Sequence, residues 1–68
     1  MIADDSELAV TLDRITGFQM LVAHLRRTVA NPANYRASAA GFLAEIDRMQ
    51  REVREVLSHH PSELAGVA

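Results

Sequence analysis

Apolar residues recur in both halves of the chain at alternating steps of three and four residues, which is typical of helices that pack in a coiled-coil-like way. The first row consists of Leu8, Thr11, Ile15, Phe18, Val22, Leu25 and Val29. The second row consists of Tyr35, Ala39, Phe42, Ile46, Met49, Val53 and Val56. Only one member, Thr11, is not apolar. The pattern therefore predicts two amphipathic helices that meet along these rows, which we call the seam.

Capping residues and a proline divide the chain between the two rows. Asp4 or Ser6 can cap the first helix, since a side-chain oxygen there accepts from a free backbone N–H of the first turn. Asn31 precedes Pro32, and a residue before proline is pushed out of the helical region, whereas proline itself suits the first helical position. Either Asn31 or Asn34 then caps the second helix.

These signals predict a single domain over residues 1–68. The first helix is expected over about 5–30 and the second over about 32–60, with a frayed tail over 61–68 that begins at Pro61. No second domain or internal repeat is visible in the sequence.

The short connection forces the two helices to be antiparallel neighbours. Facing seam residues of such a hairpin have residue numbers with a constant sum, and that sum is 64 for every pair here, from Val29 with Tyr35 to Leu8 with Val56. One further layer brings Asp4 opposite His60.

Large apolar residues outside the seam predict self-association. They are Leu12, Met20, Leu21, Leu43 and Leu57. A core in a chain of this size yields only about 3–5 kcal/mol, and without cysteine no disulfide can add to it. A second copy can cover the extra apolar residues, and two-fold dimers are the commonest closed oligomers. We therefore expect an all-α fold, an antiparallel two-helix hairpin that dimerises into a four-helix bundle, with these five residues in the interface.

The two helices differ in charge. Residues 15–25 contain no Asp, Glu, Lys or Arg, whereas residues 45–55 are dense in charge. This contrast predicts that the first helix is central in the assembly and the later part of the second is peripheral. Phe18→Asp should then abolish folding, while Leu21→Asp should only weaken association. Gly41, inside the second helix, is interpreted as a point where a neighbouring helix comes close.

The charge balance argues against a nucleic-acid partner. The formal net charge is -2, and affinity for a phosphate backbone depends on clustered positive charge. Arg26, Arg27 and Arg36 do gather around the turn, where they can contact an anion or, more simply, stabilise the end of the first helix.

The far end of the hairpin carries three candidate metal ligands, His59, His60 and Asp4. Imidazole and carboxylate groups together can bind a divalent metal. The favoured interpretation is electrostatic, because acids suit a helix N-terminus and imidazoles a C-terminus. His24, next to the seam residue Leu25, is a further candidate ligand or proton-transfer group, but the favoured interpretation is a hydrogen-bonded histidine at the edge of an interface. No catalytic set, phosphate loop or cofactor site is recognisable, so the sequence predicts no enzyme.

The function expected from this pattern is a small non-enzymatic, homo-oligomeric protein-interaction or assembly module, whose partner is a second copy or another helical protein. One alternative is a ligand- or metal-binding bundle that uses the His-rich end. Another is an antitoxin-like or regulatory protein that binds a larger partner. The charge-free stretch is too short to span a bilayer, and the acidic first residues do not resemble a signal peptide, so the expected location is the cytoplasm.

Overall fold

The computed structural model describes residues 2–62, which contain two long α-helices packed side by side. Helix α1 comprises Asp5–Thr28 and helix α2 comprises Pro32–Leu57. Three residues connect them, and the resulting hairpin measures 52 × 16 × 14 Å. The prediction of an all-α, two-helix hairpin is confirmed. Neither helix combines the length and the apolarity that crossing a bilayer requires.

The core of the hairpin is the seam. Every seam position is buried or half-buried, including Thr11. The fully buried members are Ile15, Val22, Ala39, Ile46, Met49 and Val53. They form one continuous aliphatic cluster, against which the half-buried aromatic rings pack. The three- and four-residue spacing therefore identified the contact face of both helices.

Two core contacts were not predicted from the spacing. The rings of Phe18 and Phe42 lie with their centroids 5.7 Å apart, although the predicted register placed each opposite an aliphatic residue. The rings are long enough to meet across neighbouring layers, in the tilted geometry that aromatic pairs favour. Ile2, which precedes the first helix and its repeat, also packs against the core.

Helix α1 begins with a side-chain cap. The Glu7 backbone N–H donates to the Asp4 carboxylate at 2.8 Å, and the Glu7 carboxylate accepts from the Ala3 N–H at 2.6 Å. These two bonds satisfy donors that have no partner within the helix. Asp4 is therefore the cap of α1, rather than Ser6.

Helix α2 begins with Asn31 as its cap and Pro32 in its first turn. The Asn31 side-chain oxygen accepts from the backbone N–H groups of Ala33 at 2.9 Å and of Asn34 at 3.1 Å. Asn34 lies inside the helix and is not the cap.

An Asn31→Ala substitution is expected to destabilise the hairpin by about 1 kcal/mol, because two N–H groups lose their acceptor. For a chain of this length the corresponding fall in melting temperature is about 4–8 °C. Asn34→Ala is the matched control, since it removes the same amide from a helical position that also favours alanine. Thermal melts followed by circular dichroism compare the two, and equal melting temperatures would show that the Asn31 cap contributes nothing.

Both helices end earlier than the sequence predicted. Val29 adopts an extended conformation, so α1 ends at Thr28 rather than near residue 30. In α2 the Ser58 hydroxyl donates to the Glu55 carbonyl at 2.7 Å, and the His59 N–H donates to the Val56 carbonyl in a tighter turn. These local bonds end α2 at Leu57, before the proline that was expected to set the boundary. Beyond Ser62, the predicted tail lies outside the described residues.

Candidate interaction surface

The large apolar residues outside the seam remain exposed in the single chain. The exposed set is Val10, Leu12, Met20, Leu21, Leu43 and Leu57. It contains all five residues that the sequence assigned to an interface. Scattered surface leucines are normal in soluble proteins, so the position of these residues around the hairpin decides their significance.

Three of the exposed leucines lie on one side of the hairpin, which we call the apolar flank. Leu12, Leu43 and Leu57 each directly follow a seam residue, and their exposed fractions are 45%, 46% and 66%. Positions that follow the seam on two antiparallel helices lie on the same side of the pair. Asp5, which follows Asp4 in the layer beyond the seam, and Leu57 both line a cavity at the chain ends, whose lining also includes His59.

Most other residues of the apolar flank are uncharged. They are Ala9, Thr16, Gln19, Ala23, Ala40 and Gln50, all exposed, and the charged residues of the flank are Asp5 and Arg26 on α1 and Arg36, Asp47 and Arg54 on α2. Small side chains on α1 allow another helix to approach closely. This flank therefore has the composition of a helix-packing surface, with leucines separated by small or neutral side chains.

The opposite side is the charged flank, formed by residues that precede the seam. Arg48 bridges Glu45 and Glu52, with a nitrogen–oxygen distance of 2.8 Å to each. The hydrogen bonds from Arg48 hold the pKa of the Glu45 carboxyl below its usual range, and the charge of Arg14 on α1 acts in the same direction. Exposed pairs of this kind add little stability, but they mark a surface that suits water.

The five residues predicted for one interface therefore do not share one surface. Leu21 precedes the seam residue Val22 and lies on the charged flank, while Met20 projects from the back of α1. The charge-free stretch 15–25 is also mostly exposed in the single chain, where only Ile15 and Val22 are fully buried. The central position predicted for the first helix depends on a second copy, which the single hairpin does not contain.

The close-packing interpretation of Gly41 is wrong for contacts within the chain. A Cβ built at Gly41 meets nothing within 4 Å, and the same holds at Gly17. Neither glycine is thus required by the packing of α1 against α2.

A Gly41→Ala substitution is expected to stabilise the hairpin by about 1 kcal/mol, because alanine favours the helix and finds open space there. A melting temperature raised by several degrees, with the mass in solution unchanged, is the expected result in calorimetry and light scattering. Gly17→Ala serves as a parallel test on α1. A loss of stability or of association at Gly41 would reveal a close neighbour from another molecule.

The candidate metal ligands make local contacts instead of a shared site. The Asp4 carboxylate caps α1, and His60 Nδ1 lies 2.7 Å from the Ser62 hydroxyl. His59 Nε2 lies 3.6 Å from a Glu55 carboxylate oxygen one helical turn away. Within residues 2–62, no group of three or more His, Cys, Asp or Glu side chains is placed to hold a metal ion.

An open groove of about 590 Å³ lies near the chain ends. Its lining includes Ile2, Val56 and His59 together with the ion-paired Arg48 and Glu52. The groove is broad and shared between apolar and charged side chains, so it lacks the enclosed shape typical of small-molecule sites.

Comparison with protein-family models, with curated proteins and with solved structures finds no match for this chain.

Proposed function

We propose that this chain is a small, non-enzymatic assembly module that pairs with a second copy of itself. In the proposed dimer two hairpins face each other through their apolar flanks and form a four-helix bundle. The observation that carries the proposal is the asymmetry of the hairpin, with half-exposed Leu12, Leu43 and Leu57 on one flank and an ion-paired network on the other.

The surface area of the chain supports a covered flank. The accessible surface is 5353 Å², whereas a compact protein of 7.5 kDa is expected to expose about 4,200 Å². A standard protein interface removes about 800 Å² from each partner. Dimerisation through one flank would therefore bring the exposed area close to that of a compact protein.

The energetics of the leucines point the same way. Fully burying a leucine contributes about 1.5–3 kcal/mol. Covering the three half-exposed leucines on each of two copies would therefore stabilise a dimer by several kcal/mol. The core of a single hairpin of this size yields a comparable amount. The buried residues of the described chain are all hydrophobic, which suits a structural role, and the proposal assigns the chain no catalytic residue. It also places the dimer in the cytoplasm.

A ligand- or metal-binding bundle is the second candidate, because His59 lines the open groove beside Glu55. Light scattering on the chain with EDTA or with added zinc separates the two candidates. The proposal predicts twice the mass of one chain under both conditions. Assembly that appears only with zinc would favour the metal-binding candidate instead.

A further inference from the structure

Charge is segregated along the hairpin. The half next to the turn, residues 20–44, contains three arginines and no acidic residue. The half next to the chain ends, residues 2–19 and 45–62, contains eight carboxylates and four arginines. The turn half is thus positive by three charges and the open half negative by four. The molecule is 52 Å long, so the outer ends of the two halves are separated by several Debye lengths.

We propose that the two copies of the dimer lie antiparallel, with the turn half of each beside the open half of the other. The two-fold axis is then perpendicular to the long axis of the hairpin. This inference rests on the proposed homodimer and adds its orientation. A parallel dimer would place the two positive halves together and the two negative halves together. Repulsion between like charges disfavours this parallel arrangement.

Residues of the apolar flank itself are arranged for this pairing. On each helix one column of the flank has a seven-residue spacing: Asp5, Leu12, Gln19 and Arg26 on α1, and Arg36, Leu43, Gln50 and Leu57 on α2. Asp47 and Arg54 lie outside this column, farther round α2. The acidic residue of this set lies at the open end and both arginines at the turn end. Leu12, Gln19, Leu43 and Gln50 lie between these charged residues, where the flanks of two antiparallel copies overlap, and Leu57 lies near Asp5 at the open end.

The charged residues at the two ends of the flank cannot pair within one chain. Asp5 and Arg26 are separated by 21 residues of α1, which is about 32 Å along the axis. In an antiparallel dimer Asp5 of one copy lies beside Arg26 and Arg36 of the other, and the two-fold symmetry repeats this contact at the opposite end of the dimer. In a parallel dimer Asp5 would instead lie near the Asp5 of the other copy, and the arginines near the other copy's arginines.

Distances between spin labels distinguish the two orientations. The chain contains no cysteine, so a Ser6→Cys variant carries one nitroxide per copy on an exposed position near the open end. In the antiparallel dimer the two labels lie about 30 Å or more apart, since each is near an opposite end. In a parallel dimer they share one end and lie within about 20 Å, given the spacing of packed helices.

An Asp13→Cys variant provides the matched control. This position is exposed and lies on the same face of α1 as Ser6, but near the middle of the length of the hairpin, so its labels are expected at a short distance, about 20 Å, in either orientation. If the Asp13→Cys variant shows the short distance of a dimer and the Ser6→Cys variant also shows a short distance, the antiparallel orientation is overturned and the proposed homodimer stays intact. Absence of dipolar coupling at both positions, with the mass of a monomer, would overturn both proposals.

Discussion

A Phe18→Asp chain is expected to be largely unfolded at 25 °C. The Phe18 ring packs against the core and lies 5.7 Å from the Phe42 ring. The substitution removes this pair and places a carboxylate without a partner against aliphatic side chains, which costs several kcal/mol. That cost is comparable to the whole stability of a core this small, about 3–5 kcal/mol. Circular dichroism at 222 nm measures the loss of helix.

Phe18→Leu is the control for this prediction. A leucine keeps the position apolar and loses mainly the contact with the Phe42 ring. We therefore expect a helical chain destabilised by about 1–2 kcal/mol. Full helicity of the Phe18→Asp chain at 25 °C would mean that the seam is not the source of the stability of the hairpin.

A Leu43→Asp chain is expected to stay helical at low temperature and to lose its ability to dimerise. Leu43 is 46% exposed in the hairpin, so an aspartate there remains in water as long as the chain is alone. In the proposed dimer both copies would bury a carboxylate in the apolar flank. Two such sites are expected to weaken association by at least about 100-fold, or ~3 kcal/mol. Sedimentation measures the dissociation constant and circular dichroism the helicity.

Leu21→Asp is matched to Leu43→Asp in chemistry and closely in exposure, since Leu21 is 38% exposed. It lies on the charged flank, and we expect its dissociation constant to stay within about threefold of the native value. The sequence alone had placed both residues in one interface. Equal losses of association in the two variants would show that the division into two flanks does not describe the dimer.

The contact face of each helix could be predicted because burial in a helical hairpin follows the three- and four-residue spacing closely. Even Thr11, the one polar member of the seam, is half-buried as its position requires. The capping residues could be limited to two candidates per helix, because the N-terminus of a helix needs a nearby side-chain acceptor. In the structure the caps are Asp4 and Asn31.

The division into two flanks was missed, because the apolar residues outside the seam were grouped together without asking whether each follows or precedes a seam residue. Leu12 and Leu21 both come within one residue of the seam, yet one follows it and the other precedes it. Because α2 runs antiparallel to α1, Leu12 lies on the same side of the hairpin as Leu43 and Leu57, and Leu21 lies on the opposite side. The helix ends were missed for a different reason. Local bonds such as that from Ser58 to Glu55 compete with one more helical turn at small energetic differences.

The dependence of the melting temperature on protein concentration tests the central claim most directly, namely that one hairpin exposes apolar surface that a second copy covers. Folding coupled to dimerisation makes stability a function of concentration. We predict that the melting temperature of the native chain, followed by circular dichroism, rises steadily between about 1 and 100 μM, and that the Leu43→Asp chain shows no such rise. A high melting temperature that is the same at every concentration, with the 7.5 kDa mass of a single chain, would contradict the account.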